Sequence, residues 1–516
     1  TPLSRFDIIG FTLQYEMSYT NVLEMMDLGG VPVLSSERGE DDPIVLAGGP
    51  CAFNPEPLHL FIDAFLIGDG EDSIVEVTNV LNACKKEGVP RAERLKRLAS
   101  LRGVYVPGLY HDEYNADGTL KSLEPTDPCA PPRVLRSILT DFENAYVPTR
   151  PPVPYIQPVF DRIMLEIMRG CTRGCRFCQA GMLYRPVRER SVDKLVELAK
   201  ESVKNTGYEE ISLSSLSSSD YSCISELAGR LTDELRDQRV SLSLPSLRVD
   251  KFVQDTLTHT QKVKKSSLTF APEAGTQRLR DVINKNVTEA DLVNTLTNAF
   301  SNGWNAVKLY FMTGLPTETD EDLIGIAELA KTAAGAYYSV PKEKRVKGLR
   351  ITCSAAVFVP KPFTPFQWEA QDSIAALERK QQLLRDAIRT RKITYHYHDA
   401  HVSYIEAVFA RGDRRLSRAI LEAVDRGQRL DGWDEFFRFD TWMEAFAAAG
   451  IDPDFYAARR RPYTELLPWD HIDCGVSRAF LVRESEKARA GVTTPDCRTQ
   501  CAGCANRLGG TRSCCP

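Results

Sequence analysis

Cys171 to Cys178 reads CTRGCRFC, and this stretch decides how the rest of the chain is read. Its spacing is C-x3-C-x2-C. Three thiolates within eight residues can hold three irons of a [4Fe–4S] cube and leave the fourth iron open, thiolate being the protein ligand that such clusters use. An iron with no protein ligand is a place for chemistry as well as electron transfer. Two plainer readings stand beside this one. A structural zinc site wants four protein ligands at paired spacings, and buried free cysteines are ordinary core residues. Neither accounts for the strand-like run Ile163–Ile167 just before the triad, or for Gly170 at its entrance.

Outward from the triad, strand-like and helix-like segments alternate. Expected strands are Ile163–Ile167, Glu210–Ser214, Val240–Leu244, Ser266–Phe270, Ala306–Phe311 and Arg350–Phe358. Expected helices cover 191–206, 221–238, 276–301, 319–336 and 372–390. Six βα units in a row predict parallel strands with crossover helices. In parallel α/β folds ligands bind at the C-terminal strand ends, and the triad follows the first strand.

With its aromatic Phe177 before the last cysteine, the triad resembles that of the radical S-adenosylmethionine (SAM) enzymes. The resemblance implies a partial (β/α)6 TIM-type barrel, open on one side. It also implies that Cys171, Cys175 and Cys178 bind the [4Fe–4S] cluster, that SAM chelates the open iron, and that SAM is cleaved to a 5′-deoxyadenosyl radical. Other strand ends fit. SLSSLSSSDYS offers Ser214, Ser215, Ser217 and Asp220, where the family meets the methionine amino group, usually with two glycines and an acid; a serine-rich loop is equally an ordinary helix N-cap region. In TFAPEAGTQRLRDVINK, Glu273 is a candidate for the ribose hydroxyls. Arg278, Arg280 or Lys285 is a candidate for the SAM carboxylate, since charge-assisted pairs suit carboxylates. In KLYFMTGLPTETDEDL, the run from Gly314 resembles the family's G-L-P-x-E-T segment near adenine. Thr319, Glu321 and Asp322 read as a helix cap.

The flanks extend the resemblance. Residues 1–130 carry short apolar runs (Phe6–Phe11, Ile44–Ala47, Ala64–Ile67) followed by glycines, a Rossmann-like pattern. This resembles a cobalamin-binding domain. Together with AGGPCAFNPEP, FLIGDGEDS, FAPEAGTQRLRD and FVPKPFTPFQW, the whole chain is similar to B12-binding-domain radical SAM proteins of uncharacterised function. The chain opens on what reads as a third strand, so an N-terminally truncated domain is expected. The D-x-H-x-x-G cobalt-ligand signature is absent. Gly48-Gly49-Pro50 and Gly68-Asp69-Gly70-Glu71 are the loops that would face cobalamin; the alternative is that these glycines only make tight turns. Residues 131–155 read as a linker, 156–390 as the barrel and 391–516 as a C-terminal, α-containing, Cys-rich region. There Cys497, Cys501 and Cys504 repeat the C-x3-C-x2-C spacing, with Cys474 upstream and Cys514-Cys515 at the end. They offer an auxiliary cluster or a zinc site; an unfilled cysteine tail is the alternative. His396, His398 and His401 read as ordinary polar residues.

Composition sets outer bounds. The 516 residues are 43% hydrophobic and 26% charged, which fits a globular protein with no membrane span. Fourteen cysteines at metal spacings in a large chain point to a reducing cytoplasm. The net charge of −5 gives no global attraction to nucleic acid, and the densest basic run, Arg459-Arg460-Arg461, reads as a solvated turn, with a local RNA-binding patch as the alternative. The expected partners are a reductant such as flavodoxin or ferredoxin and a substrate that the sequence does not name. Cobalamin-dependent methyl transfer is one expected outcome. The alternatives are methylthiotransferase-like modification of RNA or protein, and a non-catalytic iron–sulfur sensor or assembly protein.

Overall fold

Alternating burial along the central strands shows how the molecule is layered. In the computed structural model, which describes residues 1–156, 158–243, 248 and 268–504, Val307, Leu309 and Phe311 are buried, while Lys308, Tyr310 and Met312 between them are not. Ile351, Cys353, Ala355 and Val357 repeat the pattern one strand over. Period-two alternation puts the first set on one face of a sheet. That face packs against helices through Leu292, Leu296, Phe300, Leu323, Ile326 and Ala330. The opposite face is half-covered and forms the inside of an open array.

We number four N-terminal strands β1 (Ile8–Thr12), β2 (Ile44–Gly48), β3 (Ala64–Leu66) and β4 (Val104–Tyr105). The barrel strands are β5 (Ile163–Glu166), β6 (Glu210–Ser214), β7 (Ser241–Ser243), β8 (Leu268–Glu273), β9 (Ala306–Thr313), β10 (Arg350–Val357) and β11 (Ile393–Tyr397). They lie in two all-parallel pieces, β7-β6-β5 and β8-β9-β10-β11. The fold is α/β with a partial barrel, and its sheet runs one strand beyond the six expected. Parts of the expected third and fourth strands, at Leu244 and Ser266, lie outside the described residues.

One expected helix is interrupted. In place of 276–301 there are two, Gln277–Val282 and Glu289–Ser301. Asn284 and Asn286 between them take φ of 54° and 50°, a left-handed region that asparagine tolerates. The second helix restarts on Thr288, whose hydroxyl caps the Asp291 N–H.

The N-terminal sheet has the order β1-β2-β3-β4, parallel but for β4. One face (Ile44, Leu46, Ala64) packs on helices Glu71–Glu87 and Arg91–Ala99. The other (Ile9, Phe11, Val45, Phe65) joins a core shared with C-terminal helices Ala400–Ala410, Leu416–Asp425 and Phe439–Ala448. The largest apolar core thus joins the two ends of the chain. The basic run is part of this packing and not a solvated turn. Arg461 is buried, Arg459 pairs with Glu465 at 2.6 Å, and Arg460 lies 3.5 Å from Glu369. No described helix is long and apolar enough to cross a membrane.

Candidate active site

The triad loop leaves β5 and turns at Gly170, whose φ is +90°. A Cβ there would stand 2.6 Å from the Tyr184 carbonyl oxygen, so the turn admits only glycine. Cys171, Cys175 and Cys178 follow, all partly exposed. The loop is fastened by its two arginines. Arg173 forks onto Asp220 at 2.5 and 2.9 Å and reaches Asp496 at 3.1 Å. Arg176 is fully buried and binds Glu484 at 3.1 Å, with the carbonyls of Asp281, Val282 and Val492.

The sulfurs sense one another. Burial, then the neighbouring Cys175 sulfur, pushes the Cys171 thiol up to about 11 and the Cys178 thiol to about 12. The Gly181 N–H lies 3.4 Å from the Cys178 sulfur. Three half-buried sulfurs, two of them on thiols that a cation would have to bring down to thiolates, fit an iron–sulfur cluster. Among the described residues no three His, Cys, Asp or Glu side chains converge on a single-ion position. A cube bound at three separate corners spreads its thiols wider than one ion does.

The other expected residues gather unevenly. Phe177 packs against Ala274, Leu279, Leu315, Phe358 and Phe366, so four of the motifs meet in one apolar wall. Glu273 ends β8 at a bulge, with φ +69°, and pairs with Lys285 at 3.1 Å. Burial works to lower the Lys285 ammonium, but Glu273 and the Cys175 sulfur outweigh it and leave it raised. Of the three basic candidates, Lys285 is the one whose charge reaches the triad sulfurs. Arg278 is exposed and turns instead to Asp322 and the Thr317 carbonyl, where it joins two motifs. Arg280 donates to the carbonyls of Ala274 and Gly275. Gly314 donates its N–H to Glu318 at 2.9 Å, closing the G-L-P-x-E-T turn. Asp322 accepts from Thr319 N–H at 2.9 Å, the expected cap.

Ser214 and Ser215 stand half-buried at the end of β6, the latter 3.0 Å from the Ser218 hydroxyl. Asp220 faces inward. Burial would raise its carboxyl, but Arg173 and Ser217 hold it down to about 2. It is a clamp on the triad loop, not a free acid.

Sequence reasoning missed four contributors: Asn284, Glu484, Thr494 and Asp496. Asn284 donates to the carbonyls of Arg173 and Gly174 and accepts from Thr494 N–H at 2.7 Å. Asp496 accepts from the Thr172 hydroxyl at 2.7 Å. The only available signal was Asn-Lys-Asn inside an otherwise helical run.

The two glycine loops set against cobalamin are filled by the chain itself. At Gly68 (φ +108°) a Cβ would lie 2.1 Å from the Ser137 carbonyl oxygen, and at Gly49 2.7 Å from that of Leu13. Asp69 and Glu71 grip Arg169 at 3.0 and 2.6 Å, and Asp69 takes Arg188 at 2.5 Å. These loops dock the N-terminal sheet onto the triad loop. They do not fit cobalamin as a cradle. His396 and His398 are exposed, and His401 meets Phe439 edge-on.

Comparison with known proteins gives the family. A family model for the radical SAM superfamily matches residues 165–330, and one for the N-terminal part of radical SAM proteins matches residues 1–107. The uncharacterized protein MJ0966 of Methanocaldococcus jannaschii is 32% identical over 441 residues, covering 83% of this chain and 85% of that protein. The chain belongs to the radical SAM superfamily. It is therefore an enzyme of a family whose members use a [4Fe–4S] cluster and SAM. Among solved structures, the radical SAM methyltransferase TsrM from Kitasatospora setae, with cobalamin and a [4Fe–4S] cluster bound, is 12% identical with a TM-score of 0.43. That match covers 68% of this chain and 64% of TsrM. The cobalamin-dependent radical SAM enzyme OxsB is also 12% identical, with a TM-score of 0.45, over 94% of this chain and 71% of OxsB.

Proposed function

We propose that this radical SAM enzyme binds its cluster through Cys171, Cys175 and Cys178 and reductively cleaves SAM beside it. The observation that carries the reading is the convergence on the triad of the Phe177 wall and the Lys285–Glu273 pair. When bound, the cluster supplies the electron that splits SAM to methionine and a 5′-deoxyadenosyl radical. The chain's own residues do the rest. Arg173 and Arg176 fix the loop so that its sulfurs are presented together. Lys285 replaces Arg278 as the partner for the SAM carboxylate: an ammonium has three donors, and Glu273 occupies one. Glu273 accepts from the ribose hydroxyls, Ser214 and Ser215 face the methionine end, and the Gly314 turn lies at adenine. Phe177, Leu315 and Phe358 exclude water from the radical. A low-potential one-electron donor, a flavodoxin or ferredoxin, is the partner this chemistry requires.

The reading predicts that SAM binds before any turnover. Adding SAM to the iron-loaded, dithionite-reduced chain is expected to change the electron paramagnetic resonance spectrum of its cluster. An unchanged spectrum at saturating SAM contradicts chelation at an open iron.

A further inference from the structure

We propose that Cys497, Cys501 and Cys504 hold a second iron–sulfur cluster, seated directly against the loop that carries the first.

The segment is built into the protein. The Cys497 N–H donates to the Thr172 carbonyl oxygen at 3.0 Å, one residue past Cys171. Arg498 donates to the Asp220 carbonyl at 2.5 Å. At the other end, the Cys504 carbonyl accepts the N–H of Ser477, the cap of helix Arg478–Arg489, at 3.0 Å. From that helix Arg483 donates to the carbonyls of Ala502 and Gly503 at 3.3 and 3.1 Å. Cys497 and Cys504 are each 8% exposed and Cys501 is open to solvent. The spacing C-x3-C-x2-C is that of the first triad.

A second, independent feature points to an anion at this place. Arg185 is 3% exposed, and its Nε donates to the Gly181 carbonyl at 3.0 Å. One terminal nitrogen, NH1, has no hydrogen-bond partner among the described residues. A buried donor of a charged group is costly to leave unsatisfied. Its guanidinium lies over the Phe480 ring at 5.4 Å. A buried guanidinium held between Gly181, three residues past Cys178, and Phe480, with one terminal nitrogen unpartnered, is what a negatively charged cluster on the tail thiols would satisfy.

Zinc is the weaker occupant. Three cysteines fall one short of a closed four-ligand zinc site. A [4Fe–4S] cube on three thiolates keeps one iron open, the arrangement proposed for the first triad, and C-x3-C-x2-C is the spacing of that triad.

Iron and acid-labile sulfide per chain, with zinc measured alongside, test this on the full chain reconstituted without oxygen. About eight irons are expected for the wild type, two cubes of four. C171S/C175S/C178S and C497S/C501S/C504S are each expected to keep about four. Because Cys501 is exposed, C501S leaves the packing intact and is expected to lose iron from the second site alone. A tail variant and C501S that both keep the wild-type iron overturn the proposal. So does a wild type with about four irons whose first-triad variant holds none, or one zinc per chain at the tail.

Discussion

Replacing Arg176 by leucine is expected to cost about 3–5 kcal/mol, the penalty for removing one partner of a buried ion pair. Arg176 is fully buried between Cys175 and Cys178, and Glu484 beneath it is 2% exposed. Burial would raise the Glu484 carboxyl; Lys487, Thr494 and Arg176 hold it below the ordinary carboxylate range. Leucine removes the guanidinium and leaves that carboxylate in the interior. It also frees the carbonyls of Asp281, Val282 and Val492, which tie the triad loop to the broken helix and to the segment after helix Arg478–Arg489. Denaturant unfolding should show the loss, and iron retained after gel filtration should fall with it. Lysine keeps the charge without the planar fork and should lie between. An Arg176→Leu protein within about 0.5 kcal/mol of wild type would contradict the account of the loop, since that is the effect of an ordinary surface substitution.

The second large effect is expected far from the triad. Arg414 donates to Glu56 at 2.6 Å, to the Tyr105 hydroxyl at 2.8 Å, and to the carbonyls of Tyr110 and Pro107 at 2.9 and 3.0 Å. Glu56 lies 3.2 Å from His471 and accepts from the Tyr105 hydroxyl at 2.7 Å. Burial would raise the Glu56 carboxyl, yet Arg414 and His471 hold it far below the usual range. This cluster joins the N-terminal sheet to the C-terminal helices. Arg414→Met is expected to cost about 3–5 kcal/mol, and Arg414→Met with Glu56→Leu to regain most of it, because the stranded charge is then gone. The pH dependence has a fixed sign. A carboxyl depressed in the folded state contributes stability above its unfolded value of about 4.3, and that contribution is lost as pH falls through the folded value. Melting curves of single and double variants across pH check both statements. Equal losses in both variants would contradict them.

Much of this was legible in the sequence because it rests on local pattern. β6 begins and ends where Glu210–Ser214 reads as a strand, and Thr319 with Asp322 forms the expected cap. The triad announces itself by spacing, and Phe177, Leu315 and Phe358 by the motifs that carry them. What was hidden depends on residues far apart in the chain. Asp220 read as a SAM ligand, but its partner Arg173 lies 47 positions away. Arg278, Arg280 and Lys285 all read as candidates for the SAM carboxylate, and only distant contacts separate them: Asp322 takes Arg278, while Lys285 pairs with Glu273. The helix over 276–301 looked continuous because its apolar spacing is continuous. Asn284 breaks it to hold the loop at Arg173 and Gly174. The cysteine tail reads as a metal site with no fixed place, and its bonds to Thr172 and Ser477 show where it sits.

Release of 5′-deoxyadenosine tests the central claim most directly. The iron-loaded chain is incubated without oxygen with SAM and a strong reductant, and the products are separated by chromatography beside a Cys178→Ala control. The account predicts 5′-deoxyadenosine from the wild type and none from the variant. A wild type that carries iron on the triad, binds SAM and still releases no 5′-deoxyadenosine would contradict it.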